Sequence, residues 1–154
     1  MAKQQQQMTA VELLTEQHRE VDKLFQEFEE AKDADDKQSI FDEIADKLAV
    51  HAKIEETHFY PAVRAKKTED MVLEAFVEHT SIKRLLGDLL EADPEEASFD
   101  AQVKVLKEQV EHHVEEEEGQ LFPAAKKVLD QDELEDSEPR NDIPEELARQ
   151  QPAT

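Results

Sequence analysis

The chain of 154 residues contains no cysteine and no tryptophan, and only two glycines, six prolines and one tyrosine. Without cysteine there are no disulfides, iron–sulfur clusters, thiolate zinc sites or cysteine nucleophiles. Scarce glycine and proline leave few turns and long elements, hence helices. Positive charge is scarce as well: 18 Lys and Arg stand against 40 Asp and Glu, a formal net charge of −22. Such a chain repels the phosphate backbone of DNA or RNA and an anionic membrane surface. No apolar run approaches the length of a transmembrane helix. The glutamine-rich stretch Met1 to Gln7 lacks the apolar segment of a signal peptide. These absences lead to the expectation of one soluble, cytoplasmic domain with no nucleic-acid or membrane partner.

What is present divides into three parts. Residues 1–8 read as a disordered leader. Residues 131–154 carry Asp132, Glu133, Glu135, Asp136 and Glu138, then Pro139 and Pro144, and read as a flexible acidic tail that serves solubility. Residues 9–130 hold four helical segments. The first opens on a capping box, Thr9 with Glu12, and runs to about Ala31. A polar stretch, Lys32 to Gln38, separates it from the second, which runs from near Ser39 through Phe59-Tyr60-Pro61. The third starts near Thr68 and stops near Ala92, before Asp93-Pro94. The fourth runs from near Ser98 to about Leu129, interrupted by Gly119 and Pro123. Four helices with short connections predict an all-α, antiparallel up-down-up-down four-helix bundle.

The bundle repeats itself. A shift of 61 residues lays His18 on His79 and Val21, Phe25 and Phe28 on Ile82, Leu86 and Leu89. A shift of 62 lays His51 on His113, Glu55 on Glu117, Glu56 on Glu118 and Pro61 on Pro123. The unit is therefore a helical hairpin, present twice. Apolar stripes at alternating spacings of three and four run along each helix. They read Val11, Leu14, His18, Val21, Phe25, Phe28 on the first helix. On the second they read Phe41, Ile44, Leu48, His51, Glu55, His58, Ala62. The third carries Val72, Ala75, His79, Ile82, Leu86, Leu89, and the fourth Val103, Leu106, Val110, His113, Glu117, Gln120, Ala124. Counting back from the connections at ~1.5 Å per residue puts the four histidines His18, His51, His79 and His113 in one layer of the bundle.

Any one of these histidines alone reads more readily as a hydrogen-bonded core or surface residue. Together with Glu55 and Glu117 at inward positions they form a polar set too large to bury without compensation. Coordination supplies it: imidazole plus carboxylate suits iron, zinc, manganese or copper, and iron is favoured where open positions serve oxygen chemistry. A metal-free His–Glu hydrogen-bond network is the competing reading. His58 sits on the seam one turn beyond Glu55 and is a further candidate, either beside the ligands or lining a channel. His112 lies off the seam and faces solvent, as do Glu56, Glu115, Glu116 and Glu118. Phe59, Tyr60, Leu121 and Phe122 close one end of the site, and Tyr60 has a proton to donate.

The motif His51-x-x-x-Glu55-Glu56-x-x-Phe59-Tyr60-Pro61, repeated as His113-x-x-x-Glu117-Glu118-x-x-Leu121-Phe122-Pro123, resembles the hemerythrin-like HHE cation-binding family. His18 and His79 fall where that family has its lone histidines, and the resemblance spans roughly residues 9–130. It implies a non-haem diiron centre bridged by Glu55, Glu117 and an oxo or hydroxo group, with His18, His51, His79 and His113 as terminal ligands. The oxygen-carrying hemerythrins have a second histidine on the third helix, four residues from the first; here Ala75 and Lys83 hold those places. The resemblance therefore implies a small ligand such as O2, peroxide or nitric oxide. The expected role is sensing, storage or detoxification. Catalase-like or peroxidase activity is the enzymatic alternative, and iron buffering or a structural metal the non-catalytic one. A sensing role is expected to need a separate protein partner.

Overall fold

The computed structural model of the protein describes the backbone of residues 9–135 and the side chains of residues 9–129. The expected leader, and the expected tail beyond 135, lie outside the described residues. Among the described residues the regular elements are helices, arranged as the predicted all-α bundle. Helix α1 (Ala10–Glu30) begins at the predicted capping box: Thr9 Oγ1 accepts the Glu12 N–H while the Glu12 carboxylate accepts the Thr9 N–H. Its buried face contains the whole predicted stripe from Val11 to Phe28.

Helix α2 (Ala34–Ile54) starts five residues before the expected Ser39. The Asp33 carboxylate caps it by accepting the Asp36 N–H at 2.8 Å, and Asp35 and Asp36 lie favourably against the positive end of the helix dipole. The polar run after Asp33 is thus a solvated first turn of helix, and the link is only residues 31–33. Helix α2 passes through a π turn (Glu55–Phe59) into the short α3 (Tyr60–Val63). Thr68 precedes α4 (Glu69–Leu90) and donates its hydroxyl to the Val63 carbonyl at 2.6 Å, which ties down the corner. Helix α5 (Ala97–Glu116) likewise passes through a π turn (Glu117–Leu121) into α6 (Phe122–Glu135). Gly119 and Pro123 therefore do not interrupt the fourth rod, and the helix continues past the expected end at Leu129.

The paired π turns change the register. Each inserts one residue into the helical winding, closed by the Tyr60 N–H on the Glu55 carbonyl and the Phe122 N–H on the Glu117 carbonyl. Two successive large side chains then turn inward together, Phe59 with Tyr60 and Leu121 with Phe122. The wider turn also admits the prolines that follow, which cannot donate a backbone bond. Beyond the turn the inward positions become Val63 and Ala125 in place of the expected Ala62 and Ala124.

Helix α1 packs on α2, and α4 on α5, as two hairpins, while α3 lies against α6. The apolar core forms two clusters. One gathers Phe25, Phe28, Phe41, Ile44 and Phe99 toward the α1–α2 and α4–α5 links. The other gathers Leu14, Ile54, Tyr60, Val72 and Phe122 at the opposite end. Among the described residues no helix is long and apolar enough to cross a membrane.

The Asp33 cap has a direct test. Asp33→Ala is expected to lower unfolding free energy by ~1 kcal/mol, read from the urea midpoint at unchanged slope. An unchanged midpoint would mean that α2 does not begin there.

Candidate metal centre

Between the two apolar clusters lies a layer of ionisable groups. His18 from α1, His51 from α2, His79 from α4 and His113 from α5 are all buried. Glu55 and Glu117, the first residues of the two π turns, are buried among them. The six side chains form two adjoining groups: His18 and His51 with both glutamates, and His79 and His113 with the same two glutamates. Each carboxylate spans both. Glu55 sets Oε2 at 3.2 Å from His51 Nε2 and Oε1 at 2.9 Å from His79 Nε2. Glu117 sets Oε1 at 3.1 Å from His18 Nε2 and Oε2 at 3.2 Å from His113 Nε2.

The outer nitrogens decide the state of the inner ones. His18 Nδ1 lies 2.7 Å from a Glu118 oxygen, His51 Nδ1 2.7 Å from Gln17 Oε1, His79 Nδ1 2.6 Å from Glu56 and His113 Nδ1 2.6 Å from Glu78. All four partners are acceptors, so each Nδ1 carries a proton and donates it. In a neutral imidazole the Nε2 is then a bare lone pair. His18 and His51 Nε2 are 3.2 Å apart, as are those of His79 and His113. Lone pairs that close repel each other and the carboxylates unless protons or cations stand between them. Glu55 Oε2, moreover, is buried without a hydrogen-bond donor. Nitrogen and carboxylate oxygen in this number, with their outer atoms tied down, fit a first-row transition metal in each group.

Electrostatics give the alternative occupant. Burial pushes the His51 imidazole down, but Glu55 and Glu117 together outweigh it and hold it at about 9. The same opposition leaves His113 at about 11. Burial pushes the Glu55 carboxyl up, yet His51 and the surrounding hydrogen bonds hold it well below the usual range. Burial and the nearby Glu55 charge push Glu117 up, and His113 and His18 bring it below its ordinary value. Tyr60 donates its hydroxyl to Glu117 Oε2 and, at 3.0 Å, to Glu55 Oε1. Burial and then the two carboxylates push its pKa far up, so the phenol stays protonated and holds both acids.

The six principal candidates thus meet in one place; His58 does not join them. Glu55 and His58 have the Glu-x-x-His spacing that points both residues inward on a regular helix. The π turn begins at Glu55 and rotates His58 to a half-buried position outside both groups. His112 is exposed, as expected, and pairs with Glu116 at 2.9 Å. Two residues expected only to be solvated do more. Glu56 accepts from His79 and is held by Lys83 at 2.9 Å, and Glu118 accepts from His18 and is held by Arg19 at 2.8 Å. Gln17 and Glu78 were not singled out by the sequence reading. The repeat carried their signal, since the shift of 61 that aligns the lone histidines also lays Gln17 on Glu78.

Protons and metal compete for the same lone pairs, which fixes the direction of the pH dependence. Raised imidazole pKa values stabilise the metal-free fold fully below ~6.5, and that contribution is lost as pH rises through about 9 and about 11. Metal affinity runs the opposite way and grows over this window. Loading metal at pH 7 is therefore expected to release about two protons per chain, from His51 and His113. Calorimetry in buffers of different ionisation enthalpy measures this; zero release would mean that the empty site already holds neutral imidazoles.

Comparison with known proteins bears on the same residues. The family model described as hemerythrin HHE cation binding domain matches residues 9–125. A protein named DNA nickase from Nostoc sp. (strain PCC 7120 / SAG 25.82 / UTEX 2576) is 32% identical over 130 residues. That match takes in 84% of this chain and 37% of the relative, so the chain spans little more than a third of that protein. The crystal structure of a hemerythrin HHE cation binding domain-containing protein from Mycobacterium kansasii superposes with a TM-score of 0.70 at 25% identity. The superposition covers 93% of this chain and 85% of that one. With its four histidines and two glutamates gathered in one buried layer, the chain belongs to the hemerythrin HHE cation-binding domain family.

Proposed function

We propose that the chain holds two iron ions, bridged by Glu55 and Glu117, and binds O2 or a related small oxidant there. The observation that carries this reading is the spanning geometry of the two carboxylates, each with one oxygen toward each histidine pair. Iron supplies the redox chemistry and the affinity for a diatomic or peroxide ligand that the side chains lack. The protein's own groups do the rest. Glu118, Gln17, Glu56 and Glu78 fix the ring orientations and, by taking each Nδ1 proton, turn Nε2 inward as the atom a metal would take. The Tyr60 hydroxyl, kept protonated, holds the two acids together at the edge of the site. On that side Phe122, stacked on His18 at 5.8 Å, and Phe59, edge-on to Phe122, keep water out.

A second reading, turnover of hydrogen peroxide or reaction with nitric oxide, has one observation in its favour. Ala75 and Lys83 stand four residues either side of His79; Ala75 is buried with no donor atom, and Lys83 reaches out to Glu56. Neither adds a nitrogen to the pair His79 and His113, which leaves an exchangeable position for a substrate. The charge of −22 supports a small ligand over a nucleic acid in either case.

The purified chain is expected to carry about two iron atoms, one for each group of two histidines and two shared carboxylates. His51→Ala or Glu117→Ala loses metal and stability together. Glu56→Ala, which frees the His79 ring, weakens metal affinity ~10–100-fold. His112→Ala changes neither. Metal analysis and thermal unfolding read these outcomes; one zinc per chain, or equal loss in His112→Ala, would overturn the assignment. A visible band gained under O2 and lost under vacuum marks binding, and steady oxygen evolution from peroxide marks the enzyme.

A further inference from the structure

On the face away from Tyr60 and Phe122, a cavity of about 470 Å³ opens between α2 and α4. The two helices belong to different hairpins and stand apart, while each packs closely on its own partner. The floor of the cavity is the four imidazoles, and its walls are Val21, Leu48, Ile82, Leu86 and Val110. A diatomic gas needs about the room of one water, ~30 Å³. The cavity lies instead in the range of sites that bind small organic molecules, and its walls are apolar as in such sites.

Gly87 makes the opening a built feature. It lies inside α4, where glycine weakens a helix relative to alanine. A Cβ added there would meet nothing within 4 Å, so no close contact requires the glycine. What the absent side chain leaves open is the mouth of this cavity. Leu90, one turn on, is 60% exposed and extends the apolar track to the surface. Two lysines line the same cavity in a chain with few cations, Lys53 from α2 and Lys83 from α4. Lys83 is held by Glu56, whereas Lys53 enters no ion pair among the described residues.

We propose that this cavity binds a fatty-acid-like monoanion, its hydrocarbon chain between α2 and α4, its carboxylate at Lys53 and Lys83, with Gly87 keeping the entrance open. The proposal does not rest on which metal the imidazoles hold, because walls, entrance and lysines lie outside the ligand set.

Calorimetry with decanoate on the full chain as purified tests it. Decanoate is expected to bind at one site per chain, and each methylene added from octanoate tightens binding about fourfold. Decan-1-ol binds more weakly and decyltrimethylammonium weaker still. Lys53→Glu weakens decanoate about fivefold and leaves decan-1-ol unchanged. Gly87→Leu abolishes binding of both while raising the thermal midpoint, since leucine is the better helix former. Undiminished decanoate binding by Gly87→Leu, or no binding to the wild type, would overturn the site. Equal affinity for all three head groups would overturn the assignment of an anionic ligand. Iron content of Gly87→Leu, measured alongside and expected to be unchanged, separates this result from any failure of the metal reading.

Discussion

The structure is organised around four imidazole lone pairs and two carboxylates that face one another in a buried layer. Left without cations the arrangement is unfavourable: like dipoles at 3.2 Å, and one buried carboxylate oxygen without a donor. Protons or metal ions must fill it, and the outer hydrogen bonds, by committing each Nδ1 proton outward, make the inward Nε2 the atom that takes either one. Much else in the chain serves that commitment. Arg19 and Lys83 anchor the carboxylates that orient His18 and His79, so surface ion pairs worth little in isolation act on the buried rings.

The two hairpins enclose the layer with near two-fold symmetry. Glu118 on His18 mirrors Glu56 on His79, and Gln17 on His51 mirrors Glu78 on His113. The symmetry fails in two places. A neutral amide stands at Gln17 where its counterpart is a carboxylate, so the His51 ring is the least electron-rich of the four. Tyr60 donates to both bridging acids, whereas its counterpart Phe122 stacks on His18 and donates nothing. The two His/Glu groups are therefore chemically distinct even though their side chains are the same in kind.

Most of the bundle and all six inward residues were legible in the sequence because helical periodicity and the internal repeat speak of the same positions. The stripe on α1 is buried as read, and the duplication placed His51 with Glu55 and His113 with Glu117 at one level. Legibility ended at Glu55 and Glu117. A period of three and four assumes an uninterrupted α-helix, and the π turns break that assumption, which moved His58, Gln120 and Ala62 off the seam. A local cue existed: each half carries a pair of large residues followed by proline at the same place in the repeat, Phe59-Tyr60-Pro61 and Leu121-Phe122-Pro123. The cap at Asp33 was hidden for another reason, since the turn that follows it is polar and solvated and carries no periodic signal. The residues that orient the rings were missed because acids on an exposed flank look like any solvated surface until a ring nitrogen is seen beside them.

The division of the apolar core has a consequence for how the molecule comes apart. Each cluster draws on all four rods, but the two meet only across the ionisable layer. Side-chain coupling between the ends of the bundle therefore passes through that layer, beside the coupling along the helices themselves, and a metal held by the two carboxylates would strengthen it. The layer is thus the seam along which the two ends would loosen from each other first, and filling it would make them melt more nearly as one unit.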